Sequence, residues 1–190
     1  MNKTLICLIR HGQTDWNKEF RIQGRYDIPL NDEGRKQIHA TAEKLKQIDI
    51  SWDIFLSSPL SRAYETCQIV CNDLGYKNHS IEKRFNLIER EFGVADGLKI
   101  SDEVYNKILN DDYKGMELSK DMNNRAINEL LDIAKKYPNK NILVATHSHF
   151  IKGVFTVLDN NLTFRSTLLN GALNFITIED DKIISFEFNK

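Results

Sequence analysis

A short apolar run, Leu5-Ile6-Cys7-Leu8-Ile9, ends in Arg10-His11-Gly12. The run is too short and too rich in β-formers for a helix, and it does not alternate with polar residues. It therefore reads as a strand buried on both faces, the parallel type. A guanidinium, an imidazole and a glycine then leave its carboxyl end, where open α/β sheets bind their ligands. Arginine offers a planar fork for an oxyanion, histidine a nucleophilic nitrogen, and glycine a close backbone approach. The chemistry this combination favours is phosphoryl transfer through histidine.

The charges, 26 − 27 = −1, nearly cancel over 190 residues. Such a balance gives no general attraction to nucleic acid or to an anionic membrane. The expected partner is a small molecule, and anion binding must come from local clustering, as at Arg10, His11, Arg21 and Arg25. The length suits a single domain, 1–190, with a loop-rich cap region at about 88–118. Three cysteines, Cys7, Cys67 and Cys71, make an odd set. Met1-Asn2-Lys3 precedes too short an apolar run for a signal sequence, so a reducing, cytoplasmic location is expected. Cys67 and Cys71 lie i, i+4 on an expected helix. No Cys-x-x-Cys or His-x-x-x-His completes a metal site, so both read as small packing residues and no metal is expected.

Alternating strand and helix patterns predict an α/β three-layer sandwich, a mostly parallel central sheet flanked by helices. Strands are expected at about 3–9, 54–56, 80–87, 141–146, 175–179 and 183–188. Asn31 is the predicted N-cap of a helix running to about Gln47, with Asp32 and Glu33 in its first turn. Further helices are expected at about 61–74, closed by Gly75, and at about 102–109, 123–136 and 149–158.

Two apolar strands end in histidine, at His11 and at His147, 147 − 11 = 136 positions apart. As parallel neighbours they would bring both imidazoles to one pocket. Ser57-Ser58-Pro59-Leu60-Ser61-Arg62 also leaves a strand end and enters a helix, which lets Arg62 face the same point. Two arginines and two imidazoles around one position suit a tetrahedral dianion.

The run Leu8-Ile9-Arg10-His11-Gly12-Gln13-Thr14-Asp15-Trp16-Asn17 resembles the signature of the histidine phosphatase superfamily, the phosphoglycerate mutase-like proteins. Gln23-Gly24, Pro29-Leu30, Gly34, Ser57 to Ala63, Glu65-Thr66, Glu89 and Thr146-His147 fall in that family's order and spacing. The resemblance implies that His11 is a transiently phosphorylated nucleophile. Arg10, Arg62 and His147 bind the phosphoryl oxygens, and Glu89 donates the proton to the leaving group. It adds Asn17, Gln23, Gly24 and Ser148 as phosphate or substrate contacts, and it implies no cofactor. Glu91 and Asp96 compete with Glu89 for the acid role; position in the motif favours Glu89.

The chain departs from the pattern in three places. Gln13 stands where the commonest signature has glutamate, and Ser148-His149 occupy a turn that often holds glycine. Gly115-Met116-Glu117 resembles a Gly-Gly-Glu turn of the phosphatase branch. The interval between Glu89 and His147 is 147 − 89 = 58 residues, short for a helix plus a water-excluding lid. Hydrolysis of a small-molecule phosphomonoester is therefore expected, with an apolar entrance of Phe20, Ile22, Phe92 and Met116, Phe150 nearby, and broad tolerance. The alternatives are a cofactor-dependent phosphoglycerate mutase, a dedicated phosphatase of the α-ribazole phosphate or fructose bisphosphate type, and a non-catalytic phosphate-binding module.

Overall fold

A computed structural model describes residues 2–190; Met1, the first residue of the segment read for a signal sequence, lies outside them. Strands β1 (Lys3–Arg10), β2 (Ile54–Ser57), β3 (Ile81–Lys83), β4 (Asn141–Thr146), β5 (Leu173–Glu179) and β6 (Lys182–Glu187) form one sheet in the order β3-β2-β4-β1-β5-β6. The first four strands in that order are mutually parallel, and β5 and β6 add an antiparallel hairpin. Its turn, Asp180-Asp181, takes positive φ at both residues, a conformation that short-chain Asp tolerates and that suits a two-residue hairpin. The helices are α1 (Asp15–Lys18), α2 (Asp32–Lys46), α3 (Ser61–Asp73), α4 (Asp102–Leu109), α5 (Ser119–Lys136) and α6 (Ser148–Leu158). The result is the expected α/β sandwich.

The apolar run divides cleanly between two cores. Ile6 and Leu8 of β1, with Ile142 and Val144 of β4, pack against α5 and α6. Cys7 and Ile9, with Leu143 and Ala145, pack on the opposite face with residues of α2 and α3. Burying a side chain of this size is worth roughly 1.5–3 kcal/mol, so a strand with two such faces has no polar side to offer water. All three cysteines are buried free thiols within or beside this core. A third cluster, Ile22, Phe92, Ala95, Ile108 and Met116, ties α4 and its flanking loops to the segment after α1. No helix among the described residues is long and apolar enough to cross a membrane.

Two elements differ from the sequence expectation. The strand expected over 80–87 ends at Lys83, and Phe85–Leu87 turns as a 3-10 helix. Arg84 breaks the strand, because its guanidinium ion-pairs with Glu129 and Asp132 of α5. Helix α5 starts at Ser119, earlier than expected, because the Ser119 N–H and hydroxyl both donate to the Asp111 carboxylate.

The loop leaving β1 is pressed onto the first turn of α2. Asn31 caps that turn by accepting from the Gly34 N–H at 2.8 Å, and the Asn31 N–H donates to the Gln13 carbonyl at 3.0 Å. A Cβ on Gly34 would lie 2.1 Å from the Gln13 carbonyl oxygen, and one on Gly12 would lie 2.4 Å from that of Gly34. Backbone meets backbone here, so neither side can yield by changing a rotamer. Gly34→Ala should therefore cost about 1–3 kcal/mol, the usual penalty of overpacking. Urea unfolding checks this, and a variant as stable as the parent would show that the contact can relax.

Candidate active site

Three strands deliver the site. Parallel pairing sets Arg10 of β1 opposite Thr146 of β4, and the chain continues from each into a histidine. The rings of His11 and His147 meet edge to face with centroids 5.2 Å apart. Ser57 at the end of β2 lies opposite Ala145, which brings Ser58 and α3 to the same end of the sheet. A cavity of about 220 Å³ opens there, lined by Arg10, His11, Asn17, Gln23, Glu89 and Ser148 among others.

Hydrogen bonds fix the tautomer of His11. Its Nδ1 lies 2.7 Å from the Gly12 carbonyl oxygen. A carbonyl only accepts, so Nδ1 carries the proton and the free lone pair is on Nε2. Burial, reinforced by the charges of Arg62 and Arg10, holds this imidazole well below its ordinary pKa. His147 is depressed in the same way, first by burial and then by Arg62. Its Nε2 meets the Ser58 hydroxyl at 2.7 Å, while its Nδ1 is buried without a partner among the described residues.

The two arginines are held by uncharged groups. Arg62 is fully buried and donates to the carbonyls of Tyr26 and Gly24, each at 2.7 Å. With its amide oxygen turned toward the guanidinium, Gln23 accepts from Arg62 Nε at 2.7 Å and donates to Thr14. Arg10 donates through Nη1 to the Leu168 carbonyl, and its Nε has no partner among the described residues. Burial lowers both guanidinium pKa values to about 10, so both remain cations at neutral pH. A carbonyl partner satisfies a donor without cancelling a charge, so the site keeps its appetite for an anion.

Glu89 enters from the loop after the 3-10 turn. Its carboxylate accepts from the backbone N–H groups of His149 at 3.1 Å and Phe150 at 3.2 Å. These are orphan donors of the first turn of α6, whose own N-cap, His147, makes no side-chain cap. Burial raises the Glu89 carboxyl above the ordinary range, against the pull of these N–H groups, Arg62 and Arg10. Asp96, one competing acid, is also raised, to about 6, chiefly by burial. It accepts from the Gly24 N–H at 2.7 Å and does not line the cavity. Glu91 ion-pairs with Arg25 instead.

Most of the expected residues converge, with corrections. Gly24 is not free to bind phosphate through its N–H, which Asp96 takes; its carbonyl positions Arg62. Asn17 lines the cavity, and its Oδ1 accepts from the Thr14 N–H in a capping box. Gln13 reaches away, accepting from Asn31. Of the expected apolar entrance only Ile22 and Phe92 line the cavity. Phe20 is 70% exposed, whereas Phe150 and Met116 are buried in the cores.

Several residues that shape the site carry no sequence expectation of a role. Asn170 donates to the His11 carbonyl at 2.9 Å, and Tyr105 of α4 donates to the Phe164 carbonyl at 2.6 Å while facing His149 Nε2 at 3.2 Å. Lys152 also lines the cavity. One signal was available for it: Lys152 is the single lysine in a mostly apolar helix, Ser148–Leu158.

Comparison with known proteins agrees with this geometry. A model of the family described as "Histidine phosphatase superfamily (branch 1)" matches residues 6–189. An uncharacterized phosphatase, PhoE, of Bacillus subtilis is 34% identical over 94% of this chain and 91% of its own length. A 2,3-bisphosphoglycerate-dependent phosphoglycerate mutase of Borrelia garinii is 39% identical, but over 51% of this chain and 39% of the mutase. Among solved structures, a phosphoglycerate mutase from Bacillus anthracis superposes with a TM-score of 0.85 at 26% identity, over 98% of this chain and 92% of that one.

Ser58→Ala leaves the buried His147 Nε2 without its partner. A loss of about 1–3 kcal/mol is expected, the cost of stranding a buried polar atom. Urea unfolding measures it, and an unchanged midpoint would mean that the ring finds another acceptor or donor.

Proposed function

Because the chain belongs to the histidine phosphatase superfamily, we propose that it is a phosphomonoester phosphatase working through a phosphohistidine at His11. The observation that carries this reading is the locked His11 ring. Its proton is tied to the Gly12 carbonyl, and it lines a cavity shared with Arg10 and the acid Glu89.

In this reading Arg10 and Arg62 gather the phosphoryl oxygens. The Ser58 hydroxyl donates a hydrogen bond to His147 Nε2, so the ring's own proton sits on Nδ1 and Nδ1–H is a further donor. His11 Nε2 attacks phosphorus in line. The P–O bond to the leaving group breaks as the Glu89 proton passes to the departing oxygen. Water then attacks the phosphohistidine, Glu89 takes its proton, the P–N bond breaks and inorganic phosphate leaves. The charge that develops is met by fixed cations, so the reaction needs no metal ion.

Residues 88–118 serve as the cap in this account. They carry one short helix and a small apolar cluster, too little mass to seal the phosphoenzyme from water. The Borrelia garinii mutase, of which the matched 97 residues are only 39%, has far more chain outside the shared part. Mutase activity is the second reading, favoured by the name of the Bacillus anthracis structure that shares this fold. Incubation with a phosphoglycerate and its bisphosphate separates the two: phosphate release faster than isomer exchange supports the phosphatase, and the reverse order supports the mutase.

His11→Ala should lower turnover of p-nitrophenyl phosphate by about 10³-fold or more, because it removes the covalent path. The labelled phosphohistidine, trapped by an alkaline detergent quench that preserves the P–N bond, should disappear in the variant at the same time. Residual turnover near the parent's would sink the mechanism, as would abolition of the parent's activity by a chelator and its return with added metal.

The pH profile follows from the two opposed shifts. Attack needs His11 neutral, so activity falls as pH drops through its depressed pKa. Protonation of the leaving group needs Glu89 as the acid, so activity on alkyl phosphates falls as pH rises through its elevated pKa. A bell with its maximum on the acid side of neutrality is expected in kcat/KM. Glu89→Gln should cost about 10²–10⁴-fold on an alkyl phosphate and much less on p-nitrophenyl phosphate, whose phenolate departs without a proton. Equal losses on both esters in kcat/KM, which reports phosphorylation and not the shared hydrolysis step, would remove Glu89 from the acid role.

A further inference from the structure

Glu89 reaches the cavity just past a 3-10 turn, on backbone that joins no strand of the sheet. Each carbonyl from residue 86 to residue 89 accepts instead from a side chain that belongs elsewhere in the fold. Arg125 of α5 donates through Nη1 to Asn86 at 2.7 Å and to Ile88 at 2.8 Å, and through Nη2 to Glu89 at 3.4 Å. The Thr146 hydroxyl donates to Leu87, and Arg25 donates to the Glu89 carbonyl at 3.3 Å. Three of the four carbonyls are thus held by Arg125.

The other edge of the Arg125 guanidinium is closed by a carboxylate. Its Nε and Nη2 each meet Glu117 at 2.8 Å, the bidentate pairing that a planar fork makes. Burial favours a neutral Glu117, but Arg125 and then Arg25 pull its pKa below the ordinary carboxylate range. Arg10 and Arg62 have no such partner and keep their charge for an anion. Arg125 has its charge already matched by Glu117 and does not line the cavity. The pair is largely buried, at 16% and 13% side-chain exposure, a placement that is costly unless the donors are satisfied. All three guanidinium nitrogens are satisfied, and the ones not taken by Glu117 alone serve the backbone that carries the acid. The guanidinium also lies 5.9 Å from the ring of Phe150, whose N–H grips the Glu89 carboxylate. Arg125 therefore adjoins both the backbone of Glu89 and a residue that anchors its side chain.

We propose that Arg125, locked by Glu117, is a positioning residue that sets the Glu89 carboxyl against the departing oxygen. This rests on Glu89 being the acid of the phosphatase reading above. Misplacing a reacting group by about 1 Å can cost on the order of 10²-fold in rate. Lysine cannot substitute, because an ammonium has no planar fork with which to hold several carbonyls and a carboxylate at once.

The test compares kcat/KM on an alkyl phosphate, which needs the acid, with kcat/KM on p-nitrophenyl phosphate, which does not. Lysine is the substitute to use, because it keeps the positive charge that also faces His147. Arg125→Lys should lower the alkyl value by about 10–100-fold and the aryl value by less than about threefold. Added to Glu89→Gln, it should cost the alkyl ester no more than about threefold further, because the group it positions is already gone. Equal losses on both esters overturn the inference, since a role in general stability moves both. Losses that multiply in the double variant overturn it as well. Should Arg125→Lys fail to fold, Glu117→Gln carries the same test: it opens the bidentate lock, and the alkyl-to-aryl ratio should fall by at least about threefold. An unchanged ratio in whichever variant folds also counts against the inference. Failure of the reading beneath it looks different: Glu89→Gln then loses equally on both esters, or the wild type hydrolyses neither, and this inference falls with it.

Discussion

The parallel register of β1 on β4 decides what this end of the sheet can do. Arg10 sits opposite Thr146, so the next residue on each strand is a histidine and the two rings meet at 5.2 Å. A slip of one residue would turn every apolar side chain of β1 onto the wrong face. The register is therefore fixed by two cores at once, Ile6 and Leu8 on one side and Cys7 and Ile9 on the other. Residues far apart in the chain are held at catalytic distance by ordinary hydrophobic packing, and the functional side chains need to supply none of that energy.

They could not supply it. Arg62 is fully buried and charged, and a buried ion in a protein interior costs several kcal/mol. Set against a net stability of roughly 5–15 kcal/mol for a domain, such an ion is a local deficit that the rest of the fold must offset. Carbonyl groups hold Arg62 in place without neutralising it. The same deficit favours an anion: one that enters relieves the repulsion between cations and recovers part of the energy withheld by the unpaired charges. It also keeps His11 and His147 neutral at a pH where exposed histidines are partly protonated, which preserves the lone pair on His11 Nε2.

How much of this was legible in the sequence depended on whether a feature is written locally. Strand β4 was readable to the residue, because an unbroken apolar run is a local signal, and helix α4 spans the expected residues 102–109. The β3 boundary was not, since what ends the strand is the pull of Arg84 toward α5, a contact spanning 45 residues. Of the residues expected from motifs, His11 and Glu89 line the cavity, whereas Arg62 is fully buried behind it. Gly24 was misjudged because its N–H is claimed by Asp96, 72 positions away. Tyr105 and Asn170 went unseen for the same reason: each acts through a backbone carbonyl that only the tertiary fold brings near.

Helix α6 shows how one element can serve several ends of a reaction site. Its uncapped N-terminus supplies the N–H groups that orient Glu89. Its first residues place Ser148 and His149 on the cavity wall, and one turn on it places Lys152 there as well. Lys152 lies four residues from Ser148 and three from His149, spacings that make helix side chains neighbours, so this alignment follows from helical geometry once the first turn is fixed. The first turn is fixed by β4, whose last residue Thr146 donates its hydroxyl to the Leu87 carbonyl at 2.7 Å. That bond ties the approach of Glu89 to the start of α6. The approach of Glu89 and the start of α6 are thus set by a single junction of strand and helix, so a shift of that junction moves both together.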